Sequence, residues 1–443
     1  MSDERLPAGE QREQFSNRWG FILACIGSAV GMANVWAFPY RTAKYGGAAF
    51  LIAYFICAGV LGFTGVAGEI AFGRWGQAGP LGTFHKALTL REKKGKNIGI
   101  LPVIGSMAVG IGYAVIIGWV LRYMWGAIGG GMMTAQSTGE YFGQIVGSFG
   151  SVGWHMLGLV ITLVVMVAGV TAGIEKINKV MMPLFFILFF LMAIRVAFIP
   201  GAIEGYRYLF VPRWEYLLNP QTWIYALGQC FFSLSLAGSG TVVYGSYLSK
   251  DENVINCAKN IAVFDTTAAI LASLVVIPAV FAFGFDPASG PPLLFITMPA
   301  IFQSMPGGRL FAIVFFIAIL FAGLTSIVNL FETPVEALQQ RLKFSRKKAS
   351  ITIVLLAAVV GVFIENGDIV GKWMDAVSIY IIPVGALISA VIFFWIMGDG
   401  FARSQVQLGR QRPLGKWLEP MGKYVFCLIT AAVILLGIFC GGI

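Results

Sequence analysis

A membrane-length apolar stretch near the start of the chain is interrupted by Gly27-Ser28-Ala29-Val30-Gly31-Met32-Ala33-Asn34, small and polar residues where a lipid-facing helix carries large aliphatics. Glycine there lowers helix propensity and bares peptide groups, which in hydrocarbon must be met by protein, ions or a solute. A second interruption, Phe231-Phe232-Ser233-Leu234-Ser235-Leu236-Ala237-Gly238-Ser239-Gly240, follows about two hundred residues downstream. Two such interruptions in corresponding places imply two helices broken at mid-bilayer depth with a solute site between them, the arrangement of secondary transporters.

A chain that is 58% hydrophobic and 12% charged over 443 residues has no counterpart among soluble domains. Counting apolar runs of about 20 residues predicts eleven membrane spans, near 19–43, 47–73, 98–128, 152–171, 174–198, 219–248, 255–285, 307–340, 348–364, 372–397 and 421–441. Arg74 to Lys96 holds six basic residues, and Lys176 with Lys179, Lys250 with Lys259, Arg341 to Lys348 and Arg403 to Lys423 fall in every second connection after it. Those connections are cytoplasmic by the positive-inside rule. The polar N-terminal segment has no signal-peptide core, so it is expected to stay attached and cytoplasmic, with the C-terminus external. This patterning accounts for the net charge of +10 and leaves no basic segment outside the membrane large enough to carry a nucleic-acid reading. The six cysteines (Cys25, Cys57, Cys230, Cys257, Cys427 and Cys440) show neither paired loop spacing nor metal-site spacing.

Charged residues inside spans are costly and mark function. Arg122, Arg195, Glu332 and Glu336 lie toward span ends, where snorkelling or interfacial water accounts for them. Glu69 in the second span reads either as a functional acid or as a carboxyl bonding bare backbone at a helix break. Asp265 in the seventh span has no basic neighbour in sequence and calls for a cation. The adjacent Thr325 and Ser326, taken alone, read as hydroxyls bonding their own helix. Together with Asn34, Asp265 and two breaks they form the kind of hard-oxygen set that suits Na⁺.

From about Arg12 to Gly398 the chain resembles the neurotransmitter:sodium symporter family, whose bacterial members are amino-acid transporters with the leucine-transporter-type fold. The resemblance rests on Asn17-Arg18-Trp19-Gly20-Phe21, Gly27-Ser28-Ala29-Val30-Gly31 and Asn34-Val35-Trp36-Ala37-Phe38-Pro39-Tyr40 in the first span, with Lys44-Tyr45-Gly46-Gly47 after it. Gln229-Cys230-Phe231-Phe232-Ser233-Leu234-Ser235 and Ala322-Gly323-Leu324-Thr325-Ser326 match as well. It implies an all-α polytopic fold: a cytoplasmic segment 1–18, a five-helix repeat 19–198, its inverted copy 219–397 with helices 1 and 6 discontinuous, and an additional helix 421–441. Position by position, it implies one sodium site at Ala29, Asn34, Ser233 and Asp265 with the substrate carboxylate. A second site would use Gly27, Val30, Ala322, Thr325 and Ser326.

Chloride-dependent relatives hold a halide at positions that here carry Tyr54, Gln229, Ser233, Ala269 and Asp265, so one hydroxyl is lost and an Asn has become an acid. A fixed negative charge beside the cation removes the need for a mobile anion. Chloride-independent transport is therefore expected, with Tyr54, Glu69 and Gln229 in support and a proton on Asp265 during the return step. The family pattern directs the substrate carboxylate to the amides of Gly31 and Met32, at a helix N-terminus, and to Tyr113. The ammonium is directed to carbonyls around Ala29, Phe232 and Ser233. Side-chain selectivity falls to Val109, Tyr113, Phe232, Ser235, Ala237, Gly238, Ser326 and Leu330. Relatives selective for small residues carry a bulky aromatic where Gly238 stands, so a deeper pocket for hydrophobic and aromatic L-amino acids is expected.

At the gates the chain departs from the family. The usual external Arg is Ala37, leaving Arg41 to pair with Asp375. Inside, Arg12 and Phe15 match the family, but their acidic partner is Gln340. Phe38 and Phe232 with Tyr113 are expected to form a lid. Gly173 and Pro183 are separated by nine residues, a spacing that in relatives permits the cytoplasmic end of the fifth span to unwind, as a low-propensity Gly and a missing Pro donor allow. The resemblance implies sodium-coupled symport by alternating access in the inner membrane of a bacterium. Two Na⁺ entering across 100 mV release about 4.6 kcal/mol, and tenfold gradients add about 2.8 kcal/mol. An intramembrane enzyme is set aside, because His85 falls in a loop, His155 near a span end, and no zinc-protease helix motif is present. A non-transporting amino-acid sensor keeps the same pocket and stays open as the alternative.

Overall fold

A computed structural model describes residues 14–35, 37–287 and 292–440, with only the main chain of Cys440. The first apolar stretch forms α1 (Arg18–Ala29) and α2 (Met32–Lys44), bent by 62° at Val30–Gly31. The Asn17 side chain caps α1 by accepting from Gly20 N–H at 2.9 Å. At its other end Val30 leaves helical backbone, with ψ 92°. Then come α3 (Ala48–Gly76), α4 (Pro80–Leu90), α5 (Ile100–Gly129), α6 (Thr138–Ile145), α7 (Val152–Val167), α8 (Val170–Ala197) and α9 (Ala202–Phe210).

The second half begins with α10 (Pro220–Ser233), started by Pro220 and by Asn219 accepting from Gln221 N–H. It stops at Ser233, and α11 (Gly240–Ser246) resumes after an irregular segment in which Ser235 and Gly238 have φ of +54° and +64°. Next are α12 (Val254–Ala282), α13 (Leu293–Ser304), α14 (Gly308–Leu342), α15 (Arg346–Ile364), α16 (Gly367–Ile396), α17 (Phe401–Gln407) and α18 (Leu418–Phe439).

Eight described helices are long and apolar enough to cross a membrane, and the bent α1–α2 pair makes a ninth. The other two expected spans fall on α7, 16 residues long, and on the interrupted α10–α11 pair. α7, and α10 or α11 taken singly, are short for a lone crossing. Segments read as connections contain α4, α6, α9, α13 and α17, whose apolar runs are below membrane length.

The most extensive helix pairing is α14 along α5. α1 packs against α8, α12 and α14, so the first break is enclosed by protein on every side. α8 opens with a widened π-helical turn, Val170–Glu175, at the end where unwinding is expected. The Gly173 hydrogen faces the Val165 carbonyl, and a methyl in its place would lie 2.0 Å from that oxygen.

Two acids assigned to snorkelling are in fact buried. Glu332 has no exposed surface and receives both Arg346 guanidinium nitrogens, at 2.9 and 2.8 Å, with the Tyr247 hydroxyl at 2.8 Å. Glu336, 4% exposed, accepts from Gly79 N–H at 2.8 Å. The partners come from α15, α11 and the α3–α4 turn, which close over this end of α14. Water is excluded, and the carboxylates are held by hydrogen-bonded pairing.

Candidate functional site

Where a helix stops inside the protein, its last carbonyls and first N–H groups need partners, and the two breaks find theirs in each other. The Ser28 hydroxyl donates to Ser235 Oγ at 3.1 Å, and the Ser235 hydroxyl donates to the Ser28 carbonyl at 3.0 Å. Glu69 of α3 spans the second break: Oε1 accepts from Gly238 N–H at 2.7 Å and Oε2 from the Thr241 hydroxyl. That is the backbone-bonding role at a helix interruption.

A first polar cluster lies beside the breaks. Fully buried Asp265 of α12 accepts from Asn34 Nδ2 at 2.7 Å, from Ser233 Oγ at 2.7 and 2.9 Å, and from the Tyr54 hydroxyl at 2.9 Å. All three partners are neutral. The Asn34 amide is held at both ends, because its Oδ1 accepts from Gly31 N–H at 3.0 Å. Among the described residues this carboxylate, at this depth, has only dipoles around it and no counter-charge.

The second cluster joins α14 to the end of α1. Ser326 Oγ lies 3.2 Å from the Gly27 carbonyl and 3.5 Å from that of Val30. Thr325 Oγ1 bonds the Phe321 and Ala322 carbonyls at 2.9 and 3.1 Å. Here the oxygens are all neutral carbonyls and hydroxyls, without a carboxylate.

Between the clusters lies a narrow cavity of about 50 Å³ lined by Ala29, Gly31, Asn34, Val109, Tyr113, Phe232, Ser235, Ala237, Ser326 and Leu330. Ser28, Ala33, Phe231, Ser239 and Gly240, from the two interruptions, also line it without having been given individual roles from sequence, and Asn329 and Ile382 join them unforeseen. A methyl added at Gly31 would lie 3.1 Å from Ser326 Oγ and 3.2 Å from the Tyr113 hydroxyl, so both hydroxyls face the start of α2. The Tyr113 and Phe232 rings, 6.4 Å apart, form one wall.

Three expectations change. Gly238 is not on the cavity wall: its missing side chain points at α16, where a Cβ would meet the Gly385 carbonyl at 2.4 Å. It therefore does not deepen the pocket. Phe38 is fully buried against Tyr54 and Phe50, at 4.8 and 5.8 Å, and does not join Tyr113 and Phe232 at the cavity. Met32 lies apart from the cavity lining, with its sulfur on the side of Gly323.

At the gate expected to face outward, Arg41 Nη1 donates to Gln229 Oε1 at 2.9 Å and the guanidinium lies 5.7 Å from the Tyr225 ring centre. Exposed Asp375 of α16 is within electrostatic reach of Arg41. At the gate expected to face inward, Arg12 lies outside the described residues. Phe15 packs edge-on against Phe21, Tyr244 and Tyr247. Ser16 donates to Glu175 from its main-chain N–H, at 2.8 Å, and from its hydroxyl, while Lys179 approaches the same carboxylate at 2.5 Å. This tie between the N-terminal segment and α8 was not foreseen. Nothing in the spacing of Ser16 and Glu175 announces it.

Comparison with known proteins gives a consistent result. The model of the Sodium:neurotransmitter symporter family matches residues 12–142 and 138–441. The uncharacterized sodium-dependent transporter YhdH of Bacillus subtilis is 36% identical over 352 residues, covering 79% of this chain and 77% of its own. An uncharacterized sodium-dependent transporter of Methanocaldococcus jannaschii is 29% identical over 96% of this chain and 90% of its own. Among solved structures, that of MhsT in complex with L-phenylalanine superposes with a TM-score of 0.87 at 34% identity, covering 96% of this chain and 99% of that one.

Proposed function

The chain belongs to the sodium:neurotransmitter symporter family, and on that premise we propose that this sodium-dependent membrane transporter carries hydrophobic and aromatic L-amino acids with two Na⁺ per substrate and without chloride. The observation that carries the reading is Asp265, a buried carboxylate with three neutral partners, placed beside two interrupted helices and an apolar cavity. The solved structure of MhsT holds L-phenylalanine, which supports an amino-acid substrate with an aromatic side chain. The cavity walls of Val109, Phe232, Leu330 and Ile382 offer such a side chain apolar surface. The two halves, 19–198 and 219–397, act as the inverted repeats, with α18 outside them, and the N-terminus faces the cytoplasm.

Coupling follows from the Asn34 amide. Its Oδ1 accepts from Gly31 N–H and has a second lone pair to offer a cation; a substrate carboxylate that takes the Gly31 N–H, together with the Tyr113 hydroxyl, frees Oδ1 for the ion. Ion and substrate thus act on the same internal bond, and each lowers the cost of admitting the other. The Asp265 charge supplies the anion of the first site. In the second site, neutral oxygens on α1 and α14 let a cation hold two elements together.

The test is reconstitution into liposomes with an imposed inward Na⁺ gradient and labelled phenylalanine, leucine, tryptophan and alanine. Accumulation that follows the Na⁺ gradient, is competed by aromatic residues and persists when gluconate replaces chloride is expected. Na⁺-dependent binding without accumulation would instead identify a sensor, and loss on chloride removal would refute the charge-compensation argument.

A further inference from the structure

Asn178 of α8 is fully buried, and its amide is oriented by its own helix: Nδ2 donates to the Ile174 carbonyl one turn earlier, at 2.8 Å. That leaves Oδ1 as an acceptor, and it has no hydrogen-bond partner. A buried carbonyl oxygen without a donor is rare and calls for an explanation. Its direction supplies one. A methyl built on Gly27 would lie 1.8 Å from Asn178 Oδ1 and 2.9 Å from Thr325 Cβ, so the oxygen sits against Gly27 of α1, on the face of that residue that Thr325 of α14 also approaches. The Gly27 Cα–H is the weak donor it touches, which does not satisfy an amide oxygen.

We propose that Asn178 is a third-helix contributor to the second sodium site, its Oδ1 standing as the oxygen that α8 presents to the cation held by Gly27, Val30, Ala322, Thr325 and Ser326. The inference rests on the two-site reading above. The amide is a hard neutral oxygen, as that site requires, and the Nδ2 bond to the Ile174 carbonyl fixes it only while residues 174–178 are wound. Unwinding between Gly173 and Pro183 releases Ile174 from Asn178 and withdraws the oxygen. Ion occupancy and winding of α8 therefore favour one another, in both directions. Asn178 is a positioning residue for the ion, with no contact to substrate.

The experiment measures the Na⁺ concentration for half-maximal phenylalanine uptake in proteoliposomes containing the full chain, for wild type, Asn178→Ala, Asn178→Asp and Thr325→Ala. Asn178→Ala is expected to raise it roughly tenfold, the scale of one lost contact to a charged group, with the phenylalanine requirement at saturating Na⁺ unchanged. Asn178→Asp places a carboxylate on the same atoms and is expected to lower it by a similar factor, a gain that a merely structural residue would not give. If Asn178→Ala fails to fold, the Asp variant alone decides. Unchanged Na⁺ dependence in the Asn178 variants, with a weakened Thr325→Ala, overturns the role of Asn178. Unchanged Na⁺ dependence in Thr325→Ala overturns the underlying site assignment, and Asn178 with it.

Discussion

Replacing Glu69 tests whether the second helix break is held open by a side chain. Glu69 accepts the Gly238 N–H at 2.7 Å and the Thr241 hydroxyl, and both donors are buried. In Glu69→Ala, Thr241 keeps its 3.3 Å bond to the Ser235 carbonyl, but Gly238 N–H loses this acceptor. Two hydrogen bonds to a charged group are worth about 3–6 kcal/mol together. At 1.4 kcal/mol per decade, that lowers the population of the broken conformation by roughly two to four decades. Glu69→Gln behaves differently. Its carbonyl still accepts from Gly238, and its amide donates to the Thr241 hydroxyl, which then donates to Ser235. The Gln variant should stay within roughly one decade of wild type, the scale of a single rearranged bond. The assay is equilibrium binding of labelled phenylalanine to purified protein in saturating Na⁺, accompanied by thermal unfolding in detergent. Binding by Glu69→Ala within threefold of wild type would refute the claim that this carboxylate maintains the break.

Asp265→Asn removes the fixed charge while keeping shape, and uptake should become weak in chloride-free medium and recover on adding chloride; an unchanged anion response refutes charge compensation. Gly238→Ala combines a φ of +64° with a Cβ 2.4 Å from the Gly385 carbonyl, and should abolish binding of every substrate equally, whereas Gly371→Ala, in open space, should leave binding at wild-type strength. Glu332→Ala removes the carboxylate that receives both Arg346 guanidinium nitrogens, leaving Arg346 its bond to the Met166 carbonyl, and should cost about 1–3 kcal/mol; the readout is a lowered thermal midpoint in detergent, and an unchanged midpoint counts against the pairing as a stabilising contact. Tyr113→Phe deletes the hydroxyl facing Gly31 and should weaken phenylalanine binding by roughly tenfold without moving the Na⁺ dependence of the second site, as measured by half-maximal Na⁺ for uptake.

The two interruptions were legible because glycine and serine in an apolar run announce bare backbone regardless of what packs around them. Asp265 was legible for a similar reason: a carboxylate at that depth constrains its surroundings whatever their identity. Gly238 was not. Whether an absent side chain opens onto a cavity or against a neighbouring main chain depends on the direction of a single Cα–Cβ vector, and only the packing of α16 sets it. Glu332 and Glu336 were misread because distance along a helix locates a residue near the membrane surface but does not say which elements cover it. Arg346, Tyr247 and Gly79 arrive from three other segments. Asn178 gave no signal either, since one amide in an apolar helix is unremarkable until its two ends are seen to have different neighbours.

The reciprocal bonds between Ser28 and Ser235 have a mechanical consequence. Each interrupted rod is clasped to the other at its weakest point, so the joint acts as one axle shared by two arms. While both bonds hold, an arm that tilts carries its counterpart with it.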